Sequence, residues 1–248
     1  MSDFFRYKLT IEYDGRNYHG WQMQDTAPSI QQEMERATYK FCQTKCRFHA
    51  AGRTDAGVHA RGMVVHVDIP RDERAFKVRD GLNFHMKGIP VSVLKSERVD
   101  HEFHARFSAK RRYYRYHIIN RRAKLTLRTG QAWHIKKELD VDAMQSAAQV
   151  LVGKHDFTTF RSIRCQSKSP IKTLDKLEVR RDGEDIYIDT SALSYLHHQV
   201  RSMVGCLYFV GSGKWSKQDL INALEAKDRT ELGFNAPPDG LYFMKVDY

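Results

Sequence analysis

Asp55 stands two residues after Arg53 in the run Ala51-Gly52-Arg53-Thr54-Asp55-Ala56-Gly57-Val58-His59-Ala60, so a carboxylate and a guanidinium share one glycine-bracketed turn. A carboxylate displayed this way can attack an electrophilic carbon or take a proton, and a nearby guanidinium favours its charged form while burial opposes it. The same residues also suit an ordinary turn, because Asp supplies local side-chain hydrogen bonds and glycine accepts positive φ. The residues alone leave both readings open.

A second chemically equipped stretch is Lys110-Arg111-Arg112-Tyr113-Tyr114-Arg115-Tyr116, preceded by Phe103-His104-Ala105-Arg106-Phe107. On a strand, Tyr114 and Tyr116 share one face and Tyr113 and Arg115 the other. Rings on one face could stack on bases while cations hold a phosphate backbone. The competing reading is a half-buried strand with tyrosines in the core and arginines in water. Arg201 follows His197 and His198 and interrupts an apolar helical pattern, so it is either solvated or turned toward a carboxylate or phosphate. The two adjacent histidines lack a third ligand and read as solvent or phosphate contacts rather than as a metal site.

The elements that must position these groups alternate along the chain. Arg6 to Tyr13 reads as a strand, and Ser29 with Gln32 makes a capping-box start for a helix whose Ile30, Met34, Ala37 and Phe41 repeat at 3.6 residues. Arg47 to Ala51 and Met63 to Ile69 read as strands flanking the Asp55 turn, where functional loops are common. Glu73 to Phe84 reads as a helix and Val91 to Val99 as a strand, with Gly88 and Pro90 between them. In the second half the expected elements are a strand at Arg112 to Ile119 and a helix capped by Asp140 and closed by Gly153. A hairpin from Leu174 to Thr190 follows across Asp182-Gly183, then a helix bearing Leu196, Val200, Met203, Val204 and Leu207, a helix from Ser216, and a last strand at Leu241 to Val246. Each half therefore resembles a β-α-β-β-α-β arrangement, an α+β fold with helices on a sheet. No linker-like composition separates the halves, and the boundary falls at 1–107 and 108–248.

Lys and Arg number 41 against 30 Asp and Glu, a formal net charge of +11, and 11% of the residues are aromatic. That balance points to a polyanionic partner, because each cation placed on a phosphate releases counterions. The longest apolar run, Met203 to Val210, is far short of the roughly 20 residues that span a bilayer. The first residues lack the ordered charge and apolar core of a secretory signal, so cytoplasm is the expected location. Cys42, Cys46, Cys165 and Cys206 are too few and too scattered for a disulfide framework. Cys42, Cys46 and His49 lack a fourth ligand for zinc, and the two cysteines read as one turn apart on a helix.

Several of these stretches occur together, in order, in one known family. The chain resembles the tRNA pseudouridine synthase A (TruA) family through Glu12-Tyr13-Asp14-Gly15 and Gly20-Trp21-Gln22, then Gly52-Arg53-Thr54-Asp55-Ala56-Gly57-Val58-His59 and Phe103-His104-Ala105-Arg106-Phe107-Ser108. The match continues through Tyr114-Arg115-Tyr116, His155-Asp156-Phe157-Thr158, His197-His198 to Val200-Arg201, Gly205 and Lys227-Asp228-Arg229. The resemblance implies an enzyme that isomerises uridine to pseudouridine at positions 38, 39 and 40 of the tRNA anticodon arm. It implies a pseudo-two-fold α+β core with a central mixed or antiparallel sheet, and a homodimer that uses neither cofactor nor metal. By motif, Asp55 matches the catalytic aspartate and Tyr114 the tyrosine that stacks on the target base. Arg53 and Arg201 match basic residues of the cleft, as carboxylate partners or phosphate contacts. Some relatives continue past the position of Tyr248, which leaves the matched motifs intact.

The implied reaction breaks the C1′–N1 bond, turns the uracil and joins C5 to C1′, with no redox change. Asp55 could serve by attacking C1′, by adding to the ring or by removing the C2′ proton, and the sequence does not choose. Because those atoms are hidden in a paired stem, the target nucleotide is expected to flip out. Two other readings compete: an RNA-binding module without catalysis, and a glycoside hydrolase. The second ordinarily needs two carboxylates flanking the bond, and the turn from Gly52 to Gly57 holds one.

Overall fold

Strict inward–outward alternation makes the first strand, β1 (Phe5–Tyr13), in which Tyr7, Leu9 and Ile11 are fully buried. In the computed structural model, which describes residues 4–248, the chain divides into two units. One holds the residues up to Lys110 together with Phe243–Tyr248, and the other holds Arg111–Tyr242.

In the first unit β1 is followed by α1 (Ile30–Cys42), β2 (His49–Ala50), β3 (His59–Ile69), α2 (Ala75–His85) and β4 (Val91–Arg98). This is the β-α-β-β-α-β order that the pattern predicts. Ser29 caps α1 by accepting from the Gln32 N–H at 3.3 Å, and Ile30, Met34 and Ala37 line its buried face. Strand β1 pairs antiparallel with β3 on one side and with β4 on the other, and β2 also pairs with β3. Strand β3 begins at His59, four residues before the expected Met63, because pairing of Tyr13 with Ala60 carries the ladder past the apolar run. Helix α1 ends at Cys42, where Gln43 adopts a left-handed conformation, so Cys46 lies beyond the helix rather than one turn along it. The two thiols nevertheless meet at 3.9 Å, and both are buried and free.

The second unit runs β5 (Arg111–Asn120), β6 (Trp133–Ile135), α3 (Val141–Ala148), β7 (Gly153–Asp156), β8 (Ile171–Asp182), β9 (Asp185–Ala192), α4 (Gln199–Gly211) and α5 (Lys217–Ala226). Strands β5, β9, β8 and β7 pair antiparallel in that order, and β6 lies parallel to β5. Helix α3 has the expected Asp140 cap, and α5 has a full capping box between Ser216 and Asp219. Two strands have no local signal. β6 has three residues and β7 reads Gly-Lys-His-Asp, so neither shows an apolar period, and pairing with a neighbour makes each a strand. For the same reason Gly153 opens β7 instead of closing α3, which passes through a 3-10 turn at Gln149–Leu151. Strand β10 (Leu241–Asp247) ends the chain, and its residues from Phe243 onward belong to the first unit, beside β3. The fold is thus α+β, with mostly antiparallel sheets flanked by helices. Among the described residues no helix is long and apolar enough to cross a membrane.

A histidine on β3 ties the first unit's stability to pH. His66 is buried, stacks on His49 with ring centroids 4.9 Å apart, and accepts the Ala105 N–H at Nδ1. Burial, followed by the positive charges of Arg6, His104 and His49, pushes its imidazole down to about 4. The folded chain therefore binds this proton less readily than the unfolded chain. Stability is fully present above the ordinary imidazole value near 6.5 and declines as pH falls toward 4. The urea midpoint is expected to drop between pH 7.5 and 4.5, with His66 contributing about 1–2 kcal/mol after solvent screening. In His66→Gln that slope should become shallower; an unchanged slope would assign it to other groups.

Candidate active site

Backbone bonds clamp the Asp55 turn in place. The N–H of Trp21 donates to the carbonyl of Thr54 at 3.1 Å, and the N–H of Gly57 donates to the carbonyl of Tyr18 at 3.1 Å. The Val58 N–H closes the turn on the Asp55 carbonyl at 3.2 Å. Thr54 is buried, with its hydroxyl 2.9 Å from the phenol of Tyr13 at the end of β1. On either side of it Arg53 is exposed and Asp55 half-buried. The segment 14–21 is therefore a cradle for the turn. Gly20 has φ of +91°, and a β-carbon there would press into the Thr54 carbonyl oxygen and stand 3.1 Å from the Asp55 carbonyl carbon. In the sequence these residues carry no catalytic side chain that would mark them out. Their glycine spacing is the signal that could have shown a close backbone approach.

The second unit positions Tyr114 and Arg201. On β5 Tyr114 lies opposite Thr190 of β9 and is half-buried. Its ring meets Tyr195 edge-on, with centroids 5.1 Å apart at 82°. The Tyr195 hydroxyl is 3.0 Å from that of Thr190, and burial holds the Tyr195 phenol neutral far above its usual range. Tyr114 is thus a braced ring rather than a free one.

Tyr116 is not a second stacking platform. It is fully buried against Trp133 and donates its hydroxyl to the Pro237 carbonyl at 2.7 Å. The period of two correctly places it on Tyr114's face, but β5 runs into the core, so depth along the strand separates the two rings. The arginines of the same run are also engaged: Arg111 with Asp175 at 2.9 Å, Arg112 with the Leu193 carbonyl, and Arg115 with both oxygens of Asp189 at 2.6 and 2.9 Å. The run that looks like a phosphate grip is largely spent on joining strands.

Arg201 lies in the first turn of α4, half-buried, and its Nε donates to the Ala236 carbonyl at 2.8 Å. The Ala236 N–H returns to the Arg201 carbonyl at 3.0 Å, and Ser202 donates to Asn235 at 2.6 Å. Arg229, whose guanidinium is held below its usual range by burial, donates to Ser202 at 3.0 Å. A β-carbon on Gly205 would overlap the Phe234 carbonyl oxygen, so the strap 234–237 lies directly on α4. Helix α4 is therefore buried on more than its apolar stripe. The residues toward the strap are small or polar, which hides that face from a periodicity reading. Just before α4, His198 has φ of +68°, and its ring lies 4.1 Å from that of His197.

This is a mixed fold with a half-buried carboxylate on a backbone-clamped turn in one unit, and a braced tyrosine and a strapped arginine in the other. It corresponds to a class of RNA-modifying isomerases: residues 147–248 match a family model described as tRNA pseudouridine synthase. Relatives named tRNA pseudouridine synthase A agree over essentially full length. That of Bradyrhizobium sp. strain BTAi1 is 57% identical over 98% of this chain and 99% of its own. Those of Rhodopseudomonas palustris are 58% identical in strain HaA2, with the same coverage, and 57% identical in strain CGA009 over 100% of both chains. The chain belongs to the tRNA pseudouridine synthase A family.

Proposed function

We propose that this chain, an isomerase by its family, converts uridine to pseudouridine at positions 38, 39 and 40 of the tRNA anticodon arm, with Asp55 as the catalytic carboxylate. The observation that supports this most is the Asp55 turn: its backbone is pinned at Thr54, Asp55 and Gly57 while the carboxylate stays half-exposed. A group held this way reaches a substrate without a reorganisation cost.

The reaction needs only what such a site offers. The C1′–N1 bond breaks, the uracil rotates, C5 bonds to C1′, the C5 proton leaves to solvent and N1 takes one up, so atoms and electrons balance without a cofactor. Tyr114 stacks on the target base once it has been flipped out, and this offsets part of an unstacking cost of a few kcal/mol. Arg53 and Arg201 hold the carboxylate or a backbone phosphate. The protein works as a homodimer in the cytoplasm. Its excess of 41 Lys and Arg over 30 Asp and Glu suits a tRNA partner.

The direct test is to incubate the protein with tRNA transcripts carrying uridine tritiated at C5 and to map the product. Tritium release, with pseudouridine confined to positions 38, 39 and 40, is expected. Binding without release would leave a non-catalytic RNA-binding protein. For Tyr114, replacement by Phe should keep most activity and replacement by Ala should lower kcat/KM about 10- to 100-fold, the scale of one lost stacking contact. Equal losses in both variants would move the role from the ring to the hydroxyl.

A further inference from the structure

The motif Phe103-His104-Ala105-Arg106-Phe107-Ser108 has no part in the site described above, yet its backbone is fixed as firmly as that of the Asp55 turn. The Nδ1 of His104 accepts from the N–H groups of Arg106 and Phe107 at 3.1 and 3.3 Å. The N–H of His104 donates to the Ser108 hydroxyl at 3.0 Å, and the Ser108 N–H returns to the His104 carbonyl at 2.9 Å. Ala105, fully buried, donates to His66 at 3.1 Å and accepts from the Tyr248 hydroxyl at 2.9 Å.

This turn holds Phe107 in water. The ring is 75% exposed, backed on one side by the His104 imidazole with centroids 4.4 Å apart, and the Arg106 guanidinium lies 5.5 Å from its centre. A single exposed apolar side chain is ordinary on a flexible loop. Here at least six hydrogen bonds fix the backbone that displays it. Along the chain the turn carries Arg106 and Lys110, with Asp100 and Glu102 before Phe103. His104 is held below the usual imidazole range by burial and then by the charges of His49, Arg6 and Arg106. A rigid aromatic ring beside a guanidinium matches the face of an unpaired base and its phosphate, which pair stacking with charge.

We propose that Phe107, with Arg106 beside it, is a stacking contact for an unpaired nucleotide of the RNA substrate, separate from the ring that receives the target base. The inference rests on the proposed action on tRNA and adds a contact to it.

The test is fluorescence anisotropy with end-labelled, unmodified tRNA and the full-length protein carrying Phe107→Ala, Phe107→Trp or Phe107→Leu. Because the ring is exposed, folding is not at stake. Phe107→Ala and Phe107→Leu should weaken binding about tenfold, the scale of one lost base stack. Phe107→Trp should retain the affinity and show indole quenching on adding tRNA. Wild-type affinity in Phe107→Ala, or full rescue by the non-aromatic leucine, would overturn the proposal. So would a drop in sedimenting mass for Phe107→Ala at unchanged tRNA affinity, which would make this face a contact between copies of the chain. Tritium release by the wild-type protein is scored separately, so absence of pseudouridine formation refutes the functional reading without being confused with the Phe107 result.

Discussion

Asp55→Asn is expected to lower tritium release from C5-labelled tRNA by at least about 10³-fold, the scale of losing a group that attacks or takes a proton in the rate-limiting step. The substitution is nearly isosteric, and it leaves in place the backbone bonds at Thr54, Asp55 and Gly57 and the Thr54 hydroxyl contact. The turn therefore has no reason to change shape, and tRNA affinity should stay within about threefold, roughly the error of sub-kcal changes. An amide keeps the volume and much of the hydrogen bonding of the carboxylate but loses its charge and nucleophilicity. Release at the wild-type rate would falsify the catalytic assignment of Asp55. Equal losses of binding and release would instead make Asp55 a binding residue.

The next largest effect is expected from Gly20→Ala, a residue with no functional group. Its φ of +91° is poorly tolerated by alanine, and the added methyl would push against the Thr54 carbonyl, the atom that receives the Trp21 N–H. Strain of this kind costs on the order of 1–3 kcal/mol. The cheapest relief is for the Asp55 turn to move, since Trp21 is buried behind it. A displacement near 1 Å at a reacting group can cost about 10² in rate. The expected result is a fall of that size in kcat/KM, with a cooperative melt retained at lower temperature. Full activity in Gly20→Ala would show that the cradle does not set the position of Asp55.

Much of the local structure was legible because it is governed by neighbours in sequence. Ser29, Asp140 and Ser216 start their helices as their side chains require, and the Asp182-Gly183 turn joins two strands where it should. β6 and β7 were invisible because three or four residues carry no period, and only the partner strand decides them. The site was legible as residue types but not as arrangements. The Asp55 turn stood out by composition, whereas the cradle at Gly20 and the strap at 234–237 are contacts across 34 and 35 residues. Arg111, Arg112 and Arg115 looked like free cations because the Asp175, Leu193 and Asp189 groups that occupy them lie more than 60 residues away.

By itself the sequence determined the α+β class, the helix starts after Ser29, Asp140 and Ser216, the sign of the partner's charge and the identity of the one carboxylate on the turn, all of which follow from local propensity or composition, whereas the helix expected to bear Leu196 starts only at Gln199. Tertiary structure alone decided that Tyr116 is core while Tyr114 is braced at partial exposure, that Arg111, Arg112 and Arg115 of the basic run are engaged by distant groups, and that Phe107 is held out in water. The physical reason is that burial and pairing depend on which distant segments meet. Two tyrosines on the same face of one strand are equivalent to the period of two and differ only in what the rest of the chain packs against them.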